Sequence, residues 1–208
     1  MKEVFIETWN LLVNADKGLV QTTISLIRKP GKVSQEYIAG KRIKYFNPFR
    51  FLFFWVTIDA FLMLLLSDYG VEGLITTSGA MDESDIINRV NELRSLITFT
   101  QIPVFATFSF LLFKKSNYNY SEHLVMNCYI GGIQGLFGVL YCLGFLIVDP
   151  KSFDRSYLDI INMIYFILVY ALFFEKKTFT FIMRTIACFF SSYIVWTILI
   201  VGVLLLLQ

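Results

Sequence analysis

From Thr185 to Leu207 the chain carries no charged side chain, and it closes on four consecutive leucines, Leu204 to Leu207. A helix that crosses a bilayer needs about 20 mainly apolar residues, within a range of roughly 17–25, so this run is long enough. Inside lipid every backbone N–H and C=O must be paired within the protein, which leaves helices or a closed barrel. The apolar runs are continuous and do not alternate, which points to helices.

Four further stretches qualify, at about 50–67, 96–113, 124–148 and 157–174, the last of them beginning near Asp159. The expected fold is therefore all-α: a polytopic transmembrane bundle of about five spanning helices over residues 50–208, with a cytoplasmic or interfacial segment over residues 1–49 before it. Composition agrees. The chain is 56% hydrophobic and only 16% charged, where a soluble domain carries about 25% charged residues. No internal repeat marks two transporter-like halves.

Basic residues set the expected orientation. Fourteen of the 18 Lys and Arg fall in residues 1–50, 114–123 and 175–184. Only Arg89, Arg94, Lys151 and Arg155 fall on the other side of the crossings. By the positive-inside rule the N-terminus lies in the cytoplasm. Five crossings then put Gln208 outside. The 68–95 loop is acidic, with Asp68, Glu72, Asp82, Glu83, Asp85 and Glu92.

Residues 4–27 place Phe5, Trp9, Leu12, Leu19, Ile24 and Ile27 at roughly helical spacing, interrupted by Glu7, Asp16 and Lys17. Each central charge would cost a spanning helix about 2.5–3.5 kcal/mol, so an amphipathic helix lying in the interface is expected. The scattered charges do not form the basic start and apolar block of a cleavable signal peptide. Pro30-Gly31 predicts a turn, Val33–Ala39 a short helix, and Gly40 its end.

Between Arg28 and Arg50 the sequence RKPGKVSQEYIAGKRIKYFNPFR gathers Arg28, Lys29, Lys32, Lys41, Arg42, Lys44 and Arg50 against one acid, Glu36. Near an anionic leaflet each basic group is worth about 1 kcal/mol, and the interleaved Tyr37 and Tyr45 favour the headgroup layer. The collar serves at least to orient and anchor the chain. It is also the candidate site for anionic headgroups, with a protein partner or a second copy of the chain as the alternatives. A collar held on phospholipid is not free to track a duplex, so no nucleic-acid partner is expected.

The same stretch resembles a known family. Ala15-Asp16-Lys17-Gly18, Arg28-Lys29-Pro30-Gly31-Lys32-Val33, Glu36-Tyr37-Ile38, Gly40-Lys41-Arg42 and Tyr45-Phe46-Asn47-Pro48 resemble the signature of domain-of-unknown-function family 3667. Tyr118-Asn119-Tyr120-Ser121-Glu122-His123-Leu124-Val125 resembles its loop-to-helix motif. The resemblance implies a bacterial multi-pass protein, hence the cytoplasmic (inner) membrane, and supplies no activity. Many relatives carry an N-terminal zinc ribbon with paired CxxC motifs. No CxxC precedes Ala15 here, so a role that needs the ribbon is not expected.

Inside the apolar stretches a few polar groups stand out. Asp59 lies about nine residues, roughly 13 Å, into the first crossing, and an ionisable group at that depth is a candidate functional site. Asn127, Gly131, Gln134, Gly138 and Cys142 share one face of the third crossing, and Gly131 and Gly135 form a GxxxG pair suited to close helix contact. Asp59, Asn127 and Gln134 are the candidate intramembrane polar site. Glu122 and His123 are a candidate interface site, and Pro103 can kink the second crossing.

No cofactor or metal pattern is present. His123 is the lone histidine, and Cys128, Cys142 and Cys188 lack ligand spacing and read as small apolar residues. GxSxG, HExxH and P-loop patterns are absent. Three functions stay open: a non-catalytic accessory or scaffold that binds lipid or a partner through the collar, a small transporter or permease subunit with a polar path near Asp59, and an enzyme acting on lipid headgroups around Glu122 and His123.

Overall fold

The computed structural model describes residues 18–66, 94–147, 156–176 and 178–206. Residues 4–17 of the expected interfacial helix and most of the acidic 68–95 loop lie outside them, as do Arg89, Lys151, Arg155 and Lys177. Every regular element among the described residues is helical. In chain order they are α1 (18–28), α2 (Lys32–Ile38), α3 (Pro48–Leu66), α4 (Arg94–Leu112), a 3-10 turn at Lys114–Ser116, α5 (Tyr120–Ile147), α6 (Ser156–Phe173) and α7 (Phe179–Leu206).

Three stretches are long and apolar enough to cross a membrane: Pro48–Leu65, Tyr120–Gly144 and Phe179–Val203. Ile97–Leu112 and Tyr157–Phe173 are shorter apolar helices. The starts of the helices follow from their caps. Asn47 Oδ1 accepts from the N–H groups of Phe49 (3.0 Å) and Arg50 (3.3 Å). With Pro48 first in the helix, where its missing N–H costs nothing, α3 begins two residues before the expected boundary. Glu122 reaches back to the N–H of Asn119 at 2.7 Å, half of a capping box, so α5 begins at Tyr120 rather than 124. α7 likewise begins at Phe179, because an exposed Arg184 can keep its charge in water while its stem lies along the helix.

The five long helices alternate in direction, as their side-chain register shows. Leu52 meets Gly131, Trp55 meets Gly135 and Asp59 meets Gly138, so α3 and α5 run parallel. Ser109 pairs with His123 and Ile102 packs on Gly131, so α4 runs against α5. Tyr170 bonds Asn127 while Gln134 reaches Asn162, so α6 also runs against α5. Trp196 bonds Ile97 while Phe189 meets Phe105, so α7 runs against α4.

The hub is α5. Of the Tyr120–Gly144 stretch 72% is buried, against 17% of Phe179–Val203, so the most apolar helix is the one left for lipid. The α3–α5 interface is the most extensive in the fold, and glycine makes it. A Cβ on Gly135 would stand 3.0 Å from backbone atoms of Trp55 and Val56, and one on Gly132 would overlap the Phe51 ring. Absence of side chains lets the two backbones approach, and in lipid such packing drives association.

At the end where α3 begins, Gly31 takes φ +85°, and a Cβ there would lie 2.7 Å from the Phe173 nitrogen. The Pro30-Gly31 turn thus presses α2 on the end of α6, where Gln35 Nε2 donates to the Phe173 carbonyl at 2.8 Å, one of the carbonyls that a helix leaves unpaired at its end. α2 ends as expected at Gly40, whose N–H bonds the Tyr37 carbonyl while that of Lys41 bonds Glu36.

Backbone atoms cannot swing aside as a side chain can. Gly135→Ala is expected to cost about 1–3 kcal/mol by overpacking, read as a lower midpoint in chemical unfolding of the detergent-solubilised protein. Leu140→Ala, on an exposed position of the same helix, should move the midpoint far less.

Candidate functional site

The seven collar cations do not act as one ring. Arg28 at the end of α1, Lys29 beside it, Lys32 at the start of α2 and Lys44 in the following loop line a single groove of about 730 Å³. Val20, Ile24 and Val33 line it too, beside Gln21, Ser25, Glu36 and Tyr45, so cations and apolar side chains share one groove. Lys41 and Arg42 are tied beside it. Lys41 lies 3.7 Å from Glu36, and the Arg42 guanidinium sits over the Tyr37 ring, 5.9 Å from its centroid. Arg50 is elsewhere, among Phe46, Phe49, Phe53 and Phe54 on the outer face of α3.

Glu36 organises this end. Its Oε2 accepts from Lys44 Nζ at 2.9 Å and from the Tyr45 hydroxyl at 2.7 Å, pinning the 40–45 loop to α2. The Lys44 bond first, and then the Tyr45 bond, hold the Glu36 carboxyl down to about 2. Lys44 is in turn held up to about 12, by the Tyr45 hydroxyl and then by Glu36. Among the described residues the ion pairs are those of Glu36 with Lys41 and Lys44. One carboxylate therefore faces four groove cations, and the groove stays positive.

α1 completes it by docking on the bundle. Leu19 and Leu26 enter the core, Thr22 Oγ1 accepts from the Phe46 N–H at 2.8 Å, and the Tyr165 hydroxyl reaches the Leu26 carbonyl at 3.4 Å. Val20, Ile24 and Ile27 stay exposed.

The intramembrane candidates separate. Asp59 and Gln134 line one cavity of about 470 Å³, to which all five long helices contribute. Gln134 Nε2 is 3.5 Å from the Asn162 carbonyl. Asn127 is not in that cavity. It donates to the His123 carbonyl at 2.8 Å and accepts from the Tyr170 hydroxyl at 3.2 Å. His123 is fully buried, its Nδ1 2.6 Å from Ser109 Oγ and its ring between Phe110 and Phe174. It points into the bundle rather than toward the interface, whereas Glu122 is half-buried at the start of α5. The two do not converge.

Sequence reasoning missed Gln101, Asn162, Asp159 and Tyr193 as neighbours of Asp59. The helix register brings them to one cavity.

The described residues form a helical bundle with three helices of membrane-spanning length and a basic groove at one end, as in a membrane protein. The family model of the proteins of unknown function termed DUF3667 matches residues 16–59, and this match supports membership of that family. The matched stretch holds the whole collar, the groove cations and α3 as far as Asp59. No curated protein and no solved structure matches the chain.

Because the Glu36 carboxyl is held low, its contribution to stability is complete above its ordinary value of 4.5 and is lost as pH falls through about 2. Glu36→Gln should therefore be less stable than the wild type at neutral pH, with the gap closing as pH drops from 4.5 towards 2. Thermal unfolding across that range measures it.

Proposed function

We propose that the protein is a non-catalytic membrane accessory or scaffold that binds an anionic phospholipid through its collar groove. One observation carries the reading: Arg28, Lys29, Lys32 and Lys44 share one groove with the apolar side chains of Val20, Ile24 and Val33. A phosphate can sit among the cations while the first methylenes of an acyl chain lie on Val20, Ile24 and Val33. A free phosphate would use only half of that surface.

The alternating helix directions support a five-crossing, multi-pass arrangement, with the two shorter apolar helices spanning beside the three long ones. The basic bias supports a cytoplasmic collar end, with the N-terminus inside and the C-terminus outside, in the bacterial cytoplasmic membrane. There the groove would meet the inner leaflet, whose anionic lipids attract basic residues. Lys41, Arg42 and the exposed Ile43 form the adjoining surface on which a protein partner or second copy would rest.

A small transporter or permease subunit is a second reading, favoured by the cavity that Asp59 and Gln134 share. The reading as a headgroup enzyme gains no support from the geometry, since His123 is enclosed by the core and Glu122 caps a helix.

At about 1 kcal/mol per basic group, Lys32→Gln should weaken retention of phosphatidylglycerol about fivefold, and Arg28→Gln the same. Arg50→Gln, on another face, should leave it unchanged. Lipid titration by native mass spectrometry reads all three. Equal retention in wild type, Lys32→Gln and Arg28→Gln would end this proposal.

A further inference from the structure

The cavity between the long helices has a chemistry opposite to that of the groove. Asp59 lies at its floor, 9% exposed, and Asp159 is exposed at its rim on the first turn of α6. Gln101, Gln134 and Asn162 add amide groups, and the Asn162 Oδ1 is buried with no hydrogen-bond partner among the described residues. Phe189, Phe190, Tyr193 and Trp196 of α7 supply an aromatic wall. Among the described residues that line the cavity, none is Lys, Arg or His.

Its shape is built for a carboxylate at the floor. The Asp59 carboxylate lies against Gly138, where any Cβ would overlap Oδ1. The glycine face that joins α3 to α5 thus also makes room for this acid. The volume, about 470 Å³, falls within the usual span of small-molecule pockets, about 300–1,000 Å³. Ile160, Phe190 and Tyr193, which line it, are each close to half exposed, so the cavity reaches the bundle surface between α6 and α7.

We infer that this cavity is a binding site for a small organic ammonium ion with an aromatic or apolar body. The carboxylates and the Asn162 oxygen receive the ammonium N–H groups, and aromatic faces attract a cation within about 6 Å. A neutral molecule of the same shape gains only the apolar wall, and an anion is repelled by the acids. The inference concerns binding alone and depends neither on transport nor on the headgroup groove.

The test uses the full chain in nanodiscs, with empty nanodiscs as the blank, and equilibrium dialysis of labelled 2-phenylethylammonium. Saturable binding is expected, at least tenfold weaker for neutral 2-phenylethanol and undetectable for phenylacetate. Asp59→Asn should weaken the ammonium at least tenfold, and Asp159→Asn, at the rim, by less. Gly138→Ala should also weaken it, because it moves the Asp59 carboxylate without changing any charge. Should Asp59→Asn fail to fold, the exposed Asp159→Asn and the choice between ammonium and alcohol still decide. Lys32→Gln should bind the ammonium as the wild type does, which keeps the two sites distinguishable. Equal affinity for ammonium and alcohol, or a folded Asp59→Asn that binds normally, would overturn the inference, as would a folded wild type without saturable binding.

Discussion

The close approach of α3 to α5 is the contact on which the rest of this molecule depends. Gly131, Gly132, Gly135 and Gly138 present a face with almost no side chains, and Leu52, Trp55, Val56 and Asp59 lie directly on it. In water apolar burial would hold two helices together. In lipid the tails are as apolar as the helix surfaces, so fit and polar pairing must do it. This one face fixes α3 parallel to α5, and α4 and α6 then pack antiparallel around the hub. The same face places the Asp59 carboxylate inside the bundle. At its other end it brings Phe51 against Tyr129, whose hydroxyl holds the Phe46 carbonyl at 2.7 Å. The collar is thereby fastened to the membrane helices as one unit.

Polar groups within the bundle meet two different fates. Ser109, His123, Asn127 and Tyr170 bond one another or nearby backbone across α4, α5 and α6. That cluster is enclosed, ringed by Phe110, Phe113, Phe166 and Phe174, and ties helices together. Asp59, Gln101, Gln134 and Asn162 instead surround open space. The cavity has room for a small molecule, whereas the cluster is enclosed. Cys128, Cys142 and Cys188 are buried, in keeping with their reading as small apolar residues.

Much of the fold was legible in the chain, since charge-free runs of spanning length leave few alternatives to helices. The glycine face was legible too, from the spacing of Gly131 and Gly135. The helices start one to six residues before the apolar stretches read from the chain. Asn47-Pro48 and Glu122 were cap signals in plain view, and the exposed Arg184 is tolerated near a helix end. The site divided less cleanly. Asn127 and Gln134 share a face on a helical wheel, yet about two turns apart they meet different neighbours, a tyrosine and a cavity. Likewise, the seven collar cations read as one patch because the Pro30-Gly31 turn, though expected, does not by itself say which of them it brings together. That turn gathers Arg28, Lys29 and Lys32 and leaves Arg50 behind. Long-range register decides such matters, and a single chain does not display it.

The basic bias puts the collar and the rim of the cavity on opposite sides of the bilayer as an expectation. Lys41 and Tyr157 are exposed positions at those two ends, so a membrane-impermeant maleimide can report on each. Labelling of Tyr157→Cys in intact cells, with Lys41→Cys labelled only after permeabilisation, is the predicted result. Labelling of both, or of neither, before permeabilisation would place the two ends in one compartment and contradict the arrangement.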